Sequence, residues 1–164
     1  MKKNYLEDVI SHLRHRKVII VLVMDKKVKA VLSKIYKETN PLSIFLYGSR
    51  ARTDFKKDSD YEIGIIFDGN KISRSEIAKM HNLKNLVIYP FELDDIKNFS
   101  IDTPFPKAIY LKELIETGKT ILGEKILEKM ESPKITTIDL IERTSFDVAT
   151  AFAAVRSFRN NDLI

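Results

Sequence analysis

Two acidic side chains stand one residue apart where an apolar run begins. Asp60 and Glu62 lie at the start of the run that continues from Ile63 to Phe67. On a β-strand, residues two apart point to the same face, so both carboxylates are expected on one side of a sheet. Neighbouring carboxylates repel each other unless a cation lies between them, and Mg²⁺ suits their hard oxygen atoms. The pair therefore indicates a metal site that could also bridge to nucleotide phosphates.

A turn with phosphate-binding chemistry lies upstream of this pair. Gly48 lets the backbone turn sharply and approach a ligand closely. A short helix is predicted to begin at Ser49, with free N–H groups that suit a phosphate. Arg50 and Arg52 can add forked donors for phosphate oxygens. Taken singly, a Gly-Ser turn or an acidic turn is more often only a turn, and the combination at this spacing is what makes the pattern specific.

The elements around these residues can be predicted from hydrophobic patterning. The uncharged run Leu42 to Tyr47 is typical of a buried strand. Apolar residues from Val28 to Tyr36 recur with helical spacing, and Asn40-Pro41 should end that helix. Leu86 to Phe91 is predicted to form a third strand, which Pro90 places at an edge or a bulge.

The segment from Gly48-Ser49 through ten further residues to Asp60-Tyr61-Glu62 resembles the signature of the DNA polymerase beta-like nucleotidyltransferase superfamily. It is most similar to the minimal nucleotidyltransferases, which typically read GSRARG, a short polar stretch, DSD, a hydrophobic residue and Asp or Glu. The residues that match in order are Gly48, Ser49, Arg50, Ala51, Arg52, Asp58, Ser59, Asp60 and Glu62. Thr53 replaces the usual glycine, and the resemblance covers residues 26 to about 122.

The resemblance implies a fold and a division of the chain. The expected class is α/β (α+β), with the mixed sheet of the polymerase beta-like fold flanked by helices. Residues 1–25 would form an N-terminal extension, residues 26–122 the nucleotidyltransferase domain, and residues 123–164 a C-terminal helical extension that packs on the domain or on a partner.

The resemblance also implies an activity. A nucleoside monophosphate, AMP by family expectation, would move from a nucleoside triphosphate such as ATP to an acceptor hydroxyl with the help of Mg²⁺. Asp60 and Glu62 would be the catalytic metal ligands, and the turn from Gly48 to Arg52, with Ser49 and Arg50, would bind the nucleotide. By resemblance the acceptor could be a tyrosine or other hydroxyl on a partner protein, an antibiotic or an RNA end, and members of this class often pair with a HEPN-type toxin as its antitoxin. A protein acceptor is expected first, because no substantial second domain for binding a nucleic acid is seen.

The sequence departs from the family at the third carboxylate. The family usually places this acid on the third strand, where the nearest register puts Tyr89. Glu92, three positions later, is the nearest carboxylate. Either Glu92 substitutes as a metal ligand or the third acid is absent, and a two-metal site with two protein carboxylates would be poorly filled.

Composition places bounds on these interpretations. The chain has 164 residues, 44% of them hydrophobic and 31% charged, as expected for a globular domain with a proper core. The net charge of +5 is compatible with a partner that carries phosphate. No cysteine occurs, which excludes disulfides and thiolate metal sites. No signal peptide or membrane-length apolar run is seen, so a cytoplasmic location is the expectation.

The two ends of the chain are predicted to be mainly helical. Tyr5 to Leu13 has helical periodicity, while Lys17 to Met24 could be a strand or a helix. A helix ending at Gly118, a short strand over Thr120 to Leu122 and a helix through about Met130 should follow the third strand. Thr136 and Asp139 have the spacing of a capping box for a last helix. Its broad apolar face is expected to cover the domain's own core, with contact to another protein as the alternative.

Three hypotheses about function remain open at this point. The first is an enzyme that transfers nucleotides. The second is a catalytically inactive module of the same fold that acts by binding a partner or as a homo-oligomer. The third, a nucleic-acid binder, is less favoured because no basic patch interleaved with aromatic residues is seen.

Overall fold

A computed structural model describes residues 24–52 and 54–161 of the chain, with side chains to residue 156. The predicted helix from Tyr5 to Leu13 and nearly all of the segment Lys17 to Met24 lie outside the described residues. So does most of the predicted N-terminal extension. The described elements are α1 (Lys26–Thr39), β1 (Ser43–Tyr47), α2 (Ser49–Arg52), β2 (Tyr61–Phe67), α3 (Arg74–Lys79), β3 (Leu86–Glu92), α4 (Leu93–Lys97), α5 (Lys107–Thr117), β4 (Lys119–Gly123), a 3₁₀ turn (Leu127–Lys129) and α6 (Thr137–Asn161).

The strands form a mixed sheet in the order β3-β2-β1-β4. β1 runs antiparallel to both β2 and β4, whereas β2 and β3 are parallel. This arrangement confirms the expected fold class, with helices packed against a mixed sheet. β3 is an edge strand, as Pro90 predicts. The register pairs Tyr47 with Glu62, so the turn that follows β1 lies beside the start of β2.

Each face of the sheet is covered by its own apolar cluster. On one face, α1 buries Val28, Leu32 and Ile35 against side chains of the strands. Asp25 begins this helix, since its side chain accepts a hydrogen bond from the backbone N–H of Lys27. On the other face, α4 and α5 pack over a cluster that contains Phe45, Ile66, Phe91 and Leu111, with other apolar residues of the same elements.

Gly64 lies in the middle of β2 because an aromatic ring occupies the space above it. Gly64 pairs with Phe45 on β1, and a Cβ atom at residue 64 would overlap the Phe45 ring. Phe45 is 1% exposed and stacks on Phe91 at a centroid distance of 6.0 Å. Glycine has a low propensity for strand interiors, but Gly64 does not interrupt β2. It leaves space for an aromatic side chain of the core.

The C-terminal part of the chain differs from the sequence predictions in two respects. The helix expected from residue 124 to about Met130 is only the 3₁₀ turn Leu127–Lys129, because few residues separate Gly123 from Pro133 and Glu128 bonds back to Thr120. The last helix begins at the predicted capping box, where Thr136 and Asp139 exchange hydrogen bonds. It does not cover the core of its own domain, since most of its apolar side chains are exposed.

No helix in the described ranges is long and apolar enough to cross a membrane.

Candidate active site

The turn after β1 is in close contact with the carboxylate of β2. Gly48 has a φ of +68°, a conformation that side chains other than glycine rarely adopt. A Cβ atom at residue 48 would overlap Oε2 of Glu62. The Ser49 backbone N–H, at the start of the short helix α2, helps to lower the pKa of the Glu62 carboxyl. The structure thus brings the predicted phosphate turn and one predicted metal ligand directly together.

Glu62 experiences an excess of negative charge. Burial is the largest cause that raises the pKa of this carboxyl, and the charges of Glu113 and Asp60 raise it further. The Arg52 charge and the Ser49 hydrogen bond oppose them. Asp60 is exposed and directly precedes β2, two residues before Glu62. Crowded carboxylates of this kind fit a bound cation that would relieve the repulsion.

The predicted third metal ligand does not join this pair. Glu92 pairs with Phe67 at the far end of β2, which places it about 16 Å along the strands from Glu62. Its side chain also points to the opposite face, because it shares the parity of Leu86 and Ile88. Its Oε1 accepts the Gly69 backbone N–H at 2.5 Å. The prediction that Glu92 shares the metal is therefore wrong on geometric grounds.

Tyr89 occupies the position where the resemblance places a third acid. It pairs with Gly64, on the same face as Glu62, and its ring lies 6.4 Å from that of Tyr47. The Arg74 guanidinium stacks on its outer side at 4.3 Å. Within the described residues, no group of three or more His, Cys, Asp and Glu side chains is arranged to hold a metal ion. Asp60 and Glu62 would thus need substrate phosphate oxygens to complete a Mg²⁺ site.

The two arginines of the motif have different environments. Arg50 donates from Nε and Nη2 to the Ser59 carbonyl, at 2.9 and 2.6 Å, and its guanidinium stacks on Tyr61 at 4.0 Å. These contacts hold the end of the loop that carries Asp60, so the observed geometry differs from the expected role of Arg50 as a phosphate donor.

Arg52 keeps more freedom. It is paired with Glu113 of α5 and with Asp54, and its side chain is 40% exposed. Exposed pairs of this kind are weak and exchange readily. Arg52 can therefore leave its carboxylate partners, and its role as a phosphate donor stays a prediction.

A cavity of about 200 Å³ opens between this turn and the helices α5 and α6. Aromatic side chains make up much of its lining. The lining residues are Tyr47, Gly48, Glu62, Tyr89, Phe105, Tyr110, Glu113, Arg143 and Phe146.

Two tyrosine hydroxyl groups meet inside the cavity. Those of Tyr47 and Tyr110 are 3.2 Å apart. Burial is the main cause that raises the pKa of both phenols, that of Tyr110 to about 12. Both therefore stay neutral near neutral pH and offer hydrogen bonds without charge.

Several of these residues were missed by the sequence predictions. Tyr110 and Glu113 lie three residues apart on α5 and so share one face of the helix. The apolar periodicity that predicts this helix does not indicate that the face belongs to a binding site. Arg143 and Phe146 have the same spacing on α6. Spacing could have identified each pair but could not have indicated which surface it would meet.

Most of the chain matches a known protein family. The sequence profile of the family described as "Polymerase beta, Nucleotidyltransferase" matches residues 26–127. The chain belongs to this nucleotidyltransferase family. No curated protein matches the sequence.

Solved structures resemble this member of the family only distantly. One is a protein from Sulfolobus solfataricus described as a candidate nucleotidyltransferase, with 21% identity, a TM-score of 0.40, and coverage of 50% of this chain and 78% of that chain. A toxin–antitoxin structure with AMP-PNP has 16% identity, a TM-score of 0.41 and coverage of 82% and 96%. A mutant of the MntA–HpeT toxin–antitoxin has 16% identity, a TM-score of 0.39 and coverage of 80% and 94%.

Proposed function

We propose that the chain transfers a nucleoside monophosphate from a nucleoside triphosphate, ATP first among them, to a hydroxyl on a partner protein. The observation that carries this proposal is the contact between the Gly48 turn and the Glu62 carboxylate. It puts a phosphate-binding backbone and an acidic strand within one small volume. The family match supports the reaction class.

Each residue has a distinct role in this reaction. Backbone N–H groups of the turn Gly48-Ser49 bind the β- and γ-phosphates, and Arg52 leaves Glu113 to neutralise the charge of the departing pyrophosphate. Asp60 and Glu62 would hold Mg²⁺, which would supply positive charge to the reacting phosphate.

The bond changes follow from this arrangement. The acceptor oxygen forms a bond to the α-phosphorus and its hydroxyl proton passes to water. At the same time, the bond breaks between that phosphorus and the oxygen that bridges the α- and β-phosphates. Pyrophosphate leaves. The aromatic cavity is adjacent to this point, and its neutral Tyr47 and Tyr110 hydroxyls can position substrate groups by hydrogen bonding without adding charge.

A transfer assay tests the proposal. The wild type, Asp60→Asn and a matched control, Asp68→Asn, are incubated with α-labelled ATP, Mg²⁺ and host lysate. Asp68 is exposed directly after β2, at the opposite end of the strand. We expect label on a discrete acceptor with the wild type and the control, and none with Asp60→Asn. Equal labelling by all three variants would refute the proposal. The resemblance makes a HEPN-type protein the first acceptor to examine.

A second candidate function rests on Tyr89. Because this tyrosine stands where the resemblance expects an acid, the domain could keep nucleotide and partner binding without chemistry. In that case the double variant Asp60→Asn with Glu62→Gln would retain the wild-type effect on its partner. Loss of that effect in a folded double variant would exclude this alternative.

A further inference from the structure

The C-terminal helix α6 carries a row of exposed apolar side chains. The exposed fraction of these side chains runs from 49% to 72%; they are Ile138, Ile141, Val148, Phe152 and Val155. Ser145 completes the row, so that successive members are three, four, three, four and three residues apart. This alternation is the a and d pattern of a helix that packs along a second helix. We call these six residues the α6 seam.

The seam is not the surface that joins α6 to its own domain. That contact is made by Arg143 and Phe146, which line the active-site cavity, and by Asp139 and Glu142, which line a second cavity beside Phe105. The Phe146 ring lies 5.3 Å from that of Phe105. On a helical wheel these residues fall on another side of α6 from the seam. The seam is therefore open while the helix is already docked.

We propose that the α6 seam pairs, antiparallel, with the α6 seam of a second copy of this chain. A single two-fold axis between residues 146 and 147 aligns every member. Ile138 meets Val155 of the second copy, and Ile141 meets Phe152. Ser145 meets Val148, and each layer occurs twice. A self-complementary surface of this kind is what a two-fold dimer requires.

The flanks of the seam favour an identical partner. In the same register, Glu142 lies opposite Ala149 of the second copy, and Thr144 lies opposite Ala151. No like charges meet, and the alanines allow the helices to approach closely. Charged residues at flanking positions set the choice of partner, and like charges there would oppose the pairing of identical helices. Residues 148 to 155 contain none, so a helix with the same small and apolar residues fits best.

The seam is shorter than the three to four heptads that a free coiled coil normally shows. Here α6 is already helical in each copy, so the cost of ordering it is not incurred again on pairing. A dissociation constant on the order of 10 μM is the expected strength. Because Arg143 and Phe146 lie on the same helix, pairing also holds both side chains at the mouth of the cavity.

Sedimentation of the full chain tests the pairing without reference to activity. We expect the wild type to reach twice its monomer mass of 19.0 kDa as its concentration rises through the micromolar range. Phe152→Glu should weaken the dimer by about 100-fold, since the charge enters two layers at once. Ala154→Glu, off the seam on the same exposed turn, should leave the dimer intact. Circular dichroism verifies that both variants keep their helices.

A wild type that stays monomeric at 200 μM overturns the proposal, as does a dimer that Phe152→Glu leaves unchanged. Capture of the seam by a different protein while the chain alone is monomeric would likewise assign the seam to that partner.

Introduced cysteines test the orientation, since the chain has none of its own. Ile138→Cys and Val155→Cys are made as separate variants. An antiparallel pair forms a disulfide when the two are mixed and oxidised, and neither variant should cross-link to itself. Self-cross-linking of each variant alone, or no cross-link in the mixture, contradicts the antiparallel arrangement.

Discussion

Arg50 is expected to stabilise the loop that leads to Asp60 more than it binds substrate. Its guanidinium donates twice to the Ser59 carbonyl and lies 4.0 Å from the Tyr61 ring centroid and 4.9 Å from that of Phe55. Replacing it with alanine removes all of these contacts. The same change at Arg52, two residues away, removes only exposed ion pairs.

The difference in stability can be estimated from these contacts. The two donors share one acceptor, so together they count as one hydrogen bond from a charged group, about 1.5 kcal/mol at a half-buried site. Stacking on the Tyr61 ring adds about 0.5 kcal/mol. Arg50→Ala should therefore lower the free energy of unfolding by about 2 kcal/mol, or the melting temperature by roughly 4–8 °C for a chain of this size. Arg52→Ala should cost about 0–1 kcal/mol.

Urea unfolding of the wild type, Arg50→Ala, Arg50→Lys and Arg52→Ala measures this difference. Lysine keeps the charge but not the planar fork, so Arg50→Lys should recover less than half of the loss. In the transfer assay, Arg50→Ala should reduce kcat with little change in the KM for nucleotide, whereas Arg52→Ala should raise KM and also lower kcat. Equal unfolding energies for both alanine variants, or a higher KM as the only effect of Arg50→Ala, would refute the reasoning.

Three further variants probe the packing and the charge of the site. Gly48→Ala forces a side chain into the left-handed region against Glu62, so transfer should be lost while circular dichroism stays native; full activity would contradict the contact described. Gly64→Ala overpacks the buried Phe45 ring and should cost about 1–3 kcal/mol in urea unfolding, a cost that Phe45→Leu in the same chain should reduce. The pKa of Glu62 is higher in the folded protein than in the unfolded chain. Ionisation of Glu62 therefore begins to destabilise the fold as the pH rises past the unfolded-state pKa, and the destabilisation is complete above the folded-state pKa. Without metal, Glu62→Gln should therefore raise the melting temperature more at pH 8 than at pH 4. An increase in melting temperature that is independent of pH would show that ionisation of Glu62 does not destabilise the fold.

The phosphate turn and the acidic pair could be predicted from sequence because they are local. Gly48 directly follows β1 and Glu62 lies at the start of β2, on either side of the connection between the two strands. Once both strands are recognised, their antiparallel pairing brings the two residues together. Glu113, Tyr110 and Arg143 reach the cavity through the docking of helices far along the chain. Periodicity shows that such helices exist but not which surface they cover.

Glu92 illustrates a different limit. Its charge and its nearness in sequence to Tyr89 favour it as a metal ligand. On a strand, however, a residue three positions later points its side chain to the opposite face of the sheet. The parity of the apolar residues Leu86 and Ile88 already indicated which face Glu92 shares. The exposure of α6 had no such signal, because helices that cover their own core show the same alternation of three and four residues.

The hairpin that joins β1 to β2 has a consequence for the order in which the protein assembles. Its strands are close in sequence, so they can pair soon after residue 67 is available, with a small loop-closure cost. β4 must return to Ser43 from the other end of the domain, and α6 follows it in the chain. During synthesis, the phosphate turn and its carboxylates can therefore form before the helices that wall the cavity exist. A nascent chain of this protein would pass through a stage with an open nucleotide site, and only the last helix would enclose it.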